Sequence, residues 1–232
     1  MKIGIVAAME EEVALLSEKL KKSSEINIGR FNFWKGELQG VEVGVTLCGI
    51  GKVNAAVGTT MLLEKFMPDY LINIGVAGGF ASELEIGDIV ISTEVRHYDA
   101  DATAFAYEMG QIPRMPSAYK ADNRLIDLAS QACNTLADVA VHHGSILSGD
   151  SFIHTSEQIA EISTKFPGAM AVEMEGAAVA QTGFLFGIPF VLIRSISDKV
   201  HADNNPCAYS QSMQSVAGNS VNTVLHMIEN IH

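Results

Sequence analysis

Four carboxylates stand in stretches of this chain that are otherwise apolar. Residues 171–180, AVEMEGAAVA, set Glu173 and Glu175 on either side of Met174. A carboxylate in such surroundings is costly unless a cation, a hydrogen-bond donor or a ligand meets it. If the backbone is still extended here, Glu173 and Glu175 face one side and Met174 the other. Carboxylate oxygens facing one way suit a vicinal diol such as that of a ribose. The alternative is a structural ion pair, for which Arg194 is the candidate cation.

Glu12 is the third. On a helical wheel begun at Met9, Val13, Leu16 and Leu20 fall within about 40° and Leu15 widens the apolar arc. Glu12 lies inside that arc, which makes it a candidate general base. Glu10 and Glu11 lie outside it, where a favourable interaction with the helix dipole accounts for them. Asp198, the fourth, follows PFVLIRSIS at a strand's end. It is a candidate acid, with the capping of a turn as the alternative. Phe152, after SGD, is either a stacking ring for a planar base or a core residue.

Short β-branched runs alternate with helical patterns from KIGIVAA to PFVLIRSIS, and a final helix is expected over about 211–228. Several of the strands are apolar throughout, which predicts a single α/β domain, residues 1–232, around a largely buried sheet. Ligands of such folds bind beyond the carboxyl ends of the strands. Those ends carry MEEE, CGIGK, GVAGG, GDSF, EMEG and Asp198. CGIGK and GVAGG lack both the P-loop ending and the dinucleotide fingerprint, so they suggest only close backbone approach to a ligand. The segment 199–209, with Ala202, Asp203, Asn204, Asn205 and Pro206, favours turns and is expected as a loop over the site. DADATAFAYEMGQIP has neither period, yet is too apolar for a solvated tip.

A net charge of −12 argues against a nucleic acid or an anionic membrane as partner. Three cysteines, odd in number and without a CxxC, suit a reducing compartment. The seven histidines form no ligand pair on a helix, so no metal is expected. The opening MKIGIVAAM has too short an apolar run for a signal peptide or a span, and a cytoplasmic protein is expected.

MEEEV, GIGKVNAA, GVAGG, DADATAFAYEMGQIP, SGDSFI, VEMEGAAVA and RSISD occur in that order and together resemble the 5′-methylthioadenosine/S-adenosylhomocysteine nucleosidases of the purine nucleoside phosphorylase superfamily. The resemblance implies a three-layer α/β/α fold with a central mixed, twisted sheet, and a homodimer. It implies hydrolysis of an adenine nucleoside to adenine and a 5′-substituted ribose, without metal or cofactor. 5′-Deoxyadenosine and aminofutalosine are further candidate substrates. By matching motif, Asp198 is the acid for purine N7, Glu12 the base for water, and Glu175 the acceptor of the ribose hydroxyls. Glu173, Met174 and Arg194 shape the same pocket, Phe152 stacks on adenine, and the backbone of Ile153 reads its edge. Phe105, Tyr107 and Pro113 are implied to cover the partner subunit's 5′ pocket.

Two positions depart from the family pattern. Val76 stands where many relatives carry Ser or Thr, and Tyr209 is a shifted candidate for the pocket phenylalanine. The rival readings are a phosphate-dependent phosphorylase and a non-catalytic nucleoside-binding protein. Phosphate would meet Glu10, Glu11 and Glu12, and each like-charge pair at about 5 Å costs roughly 3 kcal/mol at an effective dielectric of about 20. A mere binder has no use for Glu12 and Asp198 together.

Overall fold

A computed structural model describes residues 1–136, 139–202 and 205–231. Apolar runs with both faces covered make the central strands: β1 (Lys2–Ala7), β4 (Val41–Leu47), β5 (Tyr70–Gly79) and β10 (Phe190–Lys199). They are continued by β6 (Ile89–His97), β8 (Val141–Ser148), β9 (Ala169–Glu173) and the short β7 (Tyr119–Lys120). The strand order is β10-β6-β8-β9-β5-β1-β4, and β10 also pairs with β5. That second pairing closes β5, β10, β6, β8 and β9 into a ring. The sheet is mixed: β1 pairs parallel with β4 and with β5, and β10 parallel with β5, whereas β9 meets β5 and β6 meets β10 antiparallel.

Helices α1 (Glu10–Lys19), α2 (Lys52–Phe66), α3 (Asn123–Cys133), α4 (Ser156–Lys165), α5 (Gly176–Phe186) and α6 (Asn205–Asn230) surround the sheet. α2 packs on α5, while α1 and α3 pack on α6, giving the helical layers of an α/β/α domain.

Two features differ from the sequence reading. A polar hairpin, β2 (Lys21–Ile28) and β3 (Phe31–Leu38), extends the sheet beyond β4. β2 is exposed along nearly all its length, so it lacks the apolar alternation that marks a half-buried strand. The turn into β4 is Gln39-Gly40, both at positive φ (50° and 81°), which suits the twist of a tight hairpin. The second difference is that α6 begins at Asn205 and takes residues 205–209 of the expected loop. Pro206 lies in its first turn, where a missing N–H costs nothing. Asp203 and Asn204 lie outside the described residues.

α2 approaches the sheet through Gly58. A Cβ there would lie 2.6 Å from Cβ of Cys48 and 3.1 Å from its Cα. Helix propensity favours Gly58→Ala by about 1 kcal/mol, but overpacking against a backbone costs about 1–3 kcal/mol. We expect the clash to win, and thermal denaturation of Gly58→Ala to give a lower Tm than the wild type.

Candidate active site

The carboxyl ends of β1, β5, β9 and β10 meet the start of α1 and the first turns of α6 around a cleft of about 550 Å³. Glu12, Val76, Phe152, Glu173, Met174, Glu175, Arg194, Asp198 and Tyr209 all line it. A smaller lobe of about 270 Å³ continues past Phe152 and Asp198 to Ile153. Phe105, Tyr107 and Pro113 are not part of either wall within the single chain.

Glu12 is the inward residue of the first turn of α1 and is 1% exposed. Its Oε2 accepts the backbone N–H of Ala8 (2.9 Å) and of Met9 (3.1 Å), the donors that a helix start leaves open. Burial pushes its pKa up to about 7, against the pull of Arg194 and of the nearby backbone amides. Gly75 lets this carboxylate sit close to the sheet. A Cβ there would stand 3.1 Å from Glu12 Oε1 and 3.5 Å from the Arg194 guanidinium.

Glu173 and Glu175 part company because the strand ends between them. β9 stops at Glu173, and Glu175, at φ −128° and ψ −41°, is the residue that precedes α5. The extended geometry expected for both therefore fails after Glu173. Glu173 receives Nη2 of Arg194 at 2.7 Å, the amides of Glu175 and Gly176 at 3.1 and 2.8 Å, and the hydroxyl of Ser148. That is the structural ion pair. Glu175 accepts from the amide of Gly51 at 2.8 Å and otherwise faces the cleft. Burial and then the neighbouring Glu173 push its pKa up.

Asp198 is 1% exposed and sits at a bulge, where the β10–β5 register skips between Ile196 and Asp198. The extra residue, Ser197, brings its own hydroxyl to Asp198 Oδ1 at 2.8 Å. Both line the cleft, which an unbroken strand with alternating faces would not allow. Opposite, the rings of Phe152 and Tyr209 meet edge to face, 5.6 Å between centroids. The Tyr209 hydroxyl points to Sδ of Met9 at 3.4 Å. Placing Tyr209 on α6 brings an aromatic to the pocket from a helix instead of a loop.

The family model of the phosphorylase superfamily matches residues 2–229. The chain is 62% identical to the 5′-methylthioadenosine/S-adenosylhomocysteine nucleosidase of Maridesulfovibrio salexigens, over the full length of both. It is 55% identical to the enzyme of the same name from Desulfotalea psychrophila, covering 100% of this chain and 98% of that one. The structure of the Neisseria meningitidis nucleosidase in complex with methylthio-immucillin-A superposes with a TM-score of 0.96 at 41% identity, covering 99% of each chain. The chain belongs to the 5′-methylthioadenosine/S-adenosylhomocysteine nucleosidases.

For a nucleosidase of this family, reading motifs one at a time misses several residues that hold the site together. Ser197 shows only through the bulge, Asn73 only through its bond to Arg194, and Ser148 only through Glu173. The amide of Gly51 reaches Glu175 across 124 residues of sequence. Of these, only CGIGK left a trace, as a glycine turn at a strand end.

The raised pKa of Glu12 makes stability depend on pH. Unfolded, the group titrates near 4.5, and folded near 7, so between those values the folded state holds the extra proton. Stability is then full below pH 4.5 and falls as pH rises through 7, by up to about 3 kcal/mol. Glu12→Gln keeps a carbonyl for the amides of Ala8 and Met9 but cannot ionise. Denaturant titrations should show the variant more stable than the wild type at pH 8, the two curves converging below pH 4.5.

Proposed function

We propose that this chain hydrolyses the N-glycosidic bond of 5′-methylthioadenosine and S-adenosylhomocysteine, releasing adenine and the 5′-thio-substituted ribose. The observation that carries this reading is the pairing in one cleft of two almost fully buried carboxylates, Glu12 and Asp198, with Glu175 facing the space they share.

Adenine is a poor leaving group as an anion, so Asp198 delivers a proton to N7 as the C1′–N9 bond breaks. The ribosyl carbon then resembles an oxocarbenium ion, as in other glycosidic hydrolyses. The buried carboxylates stabilise the developing positive charge in a site with little water to screen it. Glu12, with a pKa near neutrality, takes the proton of the water that adds to C1′. Glu175 accepts the 2′- and 3′-hydroxyls. Phe152 stacks on the base, and the lobe at Ile153 receives its edge. A phosphorylase would need cationic donors for phosphate. Arg194 is the one cation among the described residues lining the cleft, and it is already engaged by Glu173 and Asn73.

Adenine release from methylthioadenosine in phosphate-free buffer is therefore expected. Asp198→Asn and Glu12→Gln should each lower turnover by about 10²-fold or more. A strict phosphate requirement would point to the phosphorylase instead, and near-normal turnover in either variant would remove that residue from the mechanism.

The homodimer belongs to the same proposal, as do a cytoplasmic location and a role in methionine salvage. Phe105, Val53 and Leu185 are 79%, 74% and 61% exposed, and the last two lie on the packed pair α2 and α5. Such apolar exposure suits a covered surface. In a dimer, Phe105, Tyr107 and Pro113 would close the partner's 5′ pocket. Sedimentation should give a dimer. Phe105→Ala should raise KM for methylthioadenosine more than for adenosine, whereas a fully active monomer would refute the shared pocket.

A further inference from the structure

Three of the motifs carry a charged residue that does not line the cleft: Lys52 in GIGKVNAA, Asp99 at the head of DADATAFAYEMGQIP, and Asp150 in SGDSFI. The fold brings them together at the start of α2. β6 and β8 pair in parallel up to His97 and Ser148, so Asp99 and Asp150, each two residues further on, come side by side. Asp99 accepts the amide of Asp150 on Oδ2 at 3.0 Å and Nζ of Lys52 on Oδ1 at 2.6 Å. Asp150 in turn accepts the amide of Lys52 at 2.8 Å. The three bonds close a ring.

That ring adjoins the bond that holds Glu175. α2 has no capping side chain of its own and no acidic residue in its first turn, so carboxylates from elsewhere meet its open amides. The amides of Gly51 and Lys52, adjacent in the chain, take Glu175 and Asp150, each at 2.8 Å. Only the φ and ψ of Gly51 separate these two donors, so fixing one restrains the other. A Cβ on Gly51 would stand 3.2 Å from Oδ1 of Asp150, and its φ of 97° is one that favours glycine. The loop of Asp150 has further supports. The Tyr98 hydroxyl donates to the carbonyl of Ser151 at 2.7 Å, and the amide of Gly149 to that of Glu173 at 3.1 Å. Those bonds hold the approach to Phe152 independently of Asp99.

We propose that Asp99 is a positioning residue for the nucleosidase reaction, holding through Lys52 and Asp150 the Gly51 amide that orients Glu175 toward the ribose hydroxyls. The proposal rests on the nucleosidase reading and deepens it. A carboxylate with one donor turns freely unless that donor is itself fixed. With Oε1 tied to a fixed amide, Oε2 is left aimed at the diol, and the orientation is set before substrate arrives. Asp99 itself touches neither substrate nor reacting atoms. The side chains of Lys52 and Asp99 are 21% and 30% exposed, so solvent screens the pair and the effect is about three- to tenfold.

The test compares kcat/KM for methylthioadenosine with that for its 2′,3′-dideoxy analogue, which gives Glu175 no hydroxyl to accept, and measures the Kd of adenine. Asp99→Ala should lower the first value by about three- to tenfold. It should leave the other two within about twofold, the adenine Kd also reporting that the variant is folded. Lys52→Met, which keeps both carboxylates, should act alike. The double variant should lose about as much as the larger single loss, since both changes open one ring. Equal losses on the two nucleosides, a like loss of adenine affinity, additive losses in the double variant, or an unchanged value for methylthioadenosine would overturn the positioning role while leaving the nucleosidase intact. A wild-type protein that releases adenine from neither nucleoside would overturn both.

Discussion

Arg194 is the largest fully buried side chain of the described residues, and the ion pair it forms with Glu173 organises everything around it. The guanidinium reaches from β10 to the side chain and carbonyl of Asn73 on β5 and to the carboxylate that ends β9. Three strands of the closed ring thus share one cation. Burying such a pair gains little net stability over apolar packing, whereas removing either member leaves an uncompensated charge and costs about 3–5 kcal/mol. The pair serves placement. Glu173 also receives the first amides of α5, so the ion pair sets where the strand stops and the helix begins.

That choice of ending is what gives Glu175 its role. Two residues after Glu173, it has left the strand, and among the described residues it carries no bond to Arg194 and its one donor is the amide of Gly51. One glutamate is saturated by protein donors, and the other faces the cleft. The same guanidinium acts on Glu12 through space, pulling down a pKa that burial drives up. Without that cation, burial alone would push the Glu12 carboxyl further toward its neutral form. With it, the group sits near neutrality, where a base is half ready and still strong enough to take a proton.

The chain announces much of this in advance, and the parts it conceals have a common cause. Strands such as KIGIVAA and FVLIRSIS are legible because both faces are covered, and Glu12 because its position on the helical wheel is inward whatever it packs against. β2 is illegible because KKSSEINI is exposed, and what holds it is backbone pairing to β3, which leaves no apolar period. The start of α6 is hidden for a related reason. Asn205 and Pro206 have turn propensity when read alone, and the helix they begin is held by packing of its later turns on β10 and β5. Ser197 is hidden because a bulge is a property of the register between two strands. The difference between Glu173 and Glu175 is hidden because it is decided by Arg194, some twenty residues further on.

The bulge at Ser197 also explains how a strand brings Asp198, the proposed acid, into the cleft. Along a regular strand, neighbouring residues point to opposite faces, and Arg194 and Asp198, four apart, would share one. Arg194 lines the inner wall of the cleft and reaches on to Asn73 and Glu173. One extra residue resets the alternation after Ile196 and lets Ser197 and Asp198 both face the cleft. Gly78 accommodates the result, since a Cβ there would stand 3.3 Å from Asp198 Oδ2 and 2.9 Å from Val200. Asp198 placed this way is held by the pairing of β10 with Gly78 of β5. In the proposed mechanism a proton donor so placed would need little reorganisation as the glycosidic bond breaks, which is where electrostatic preorganisation contributes most.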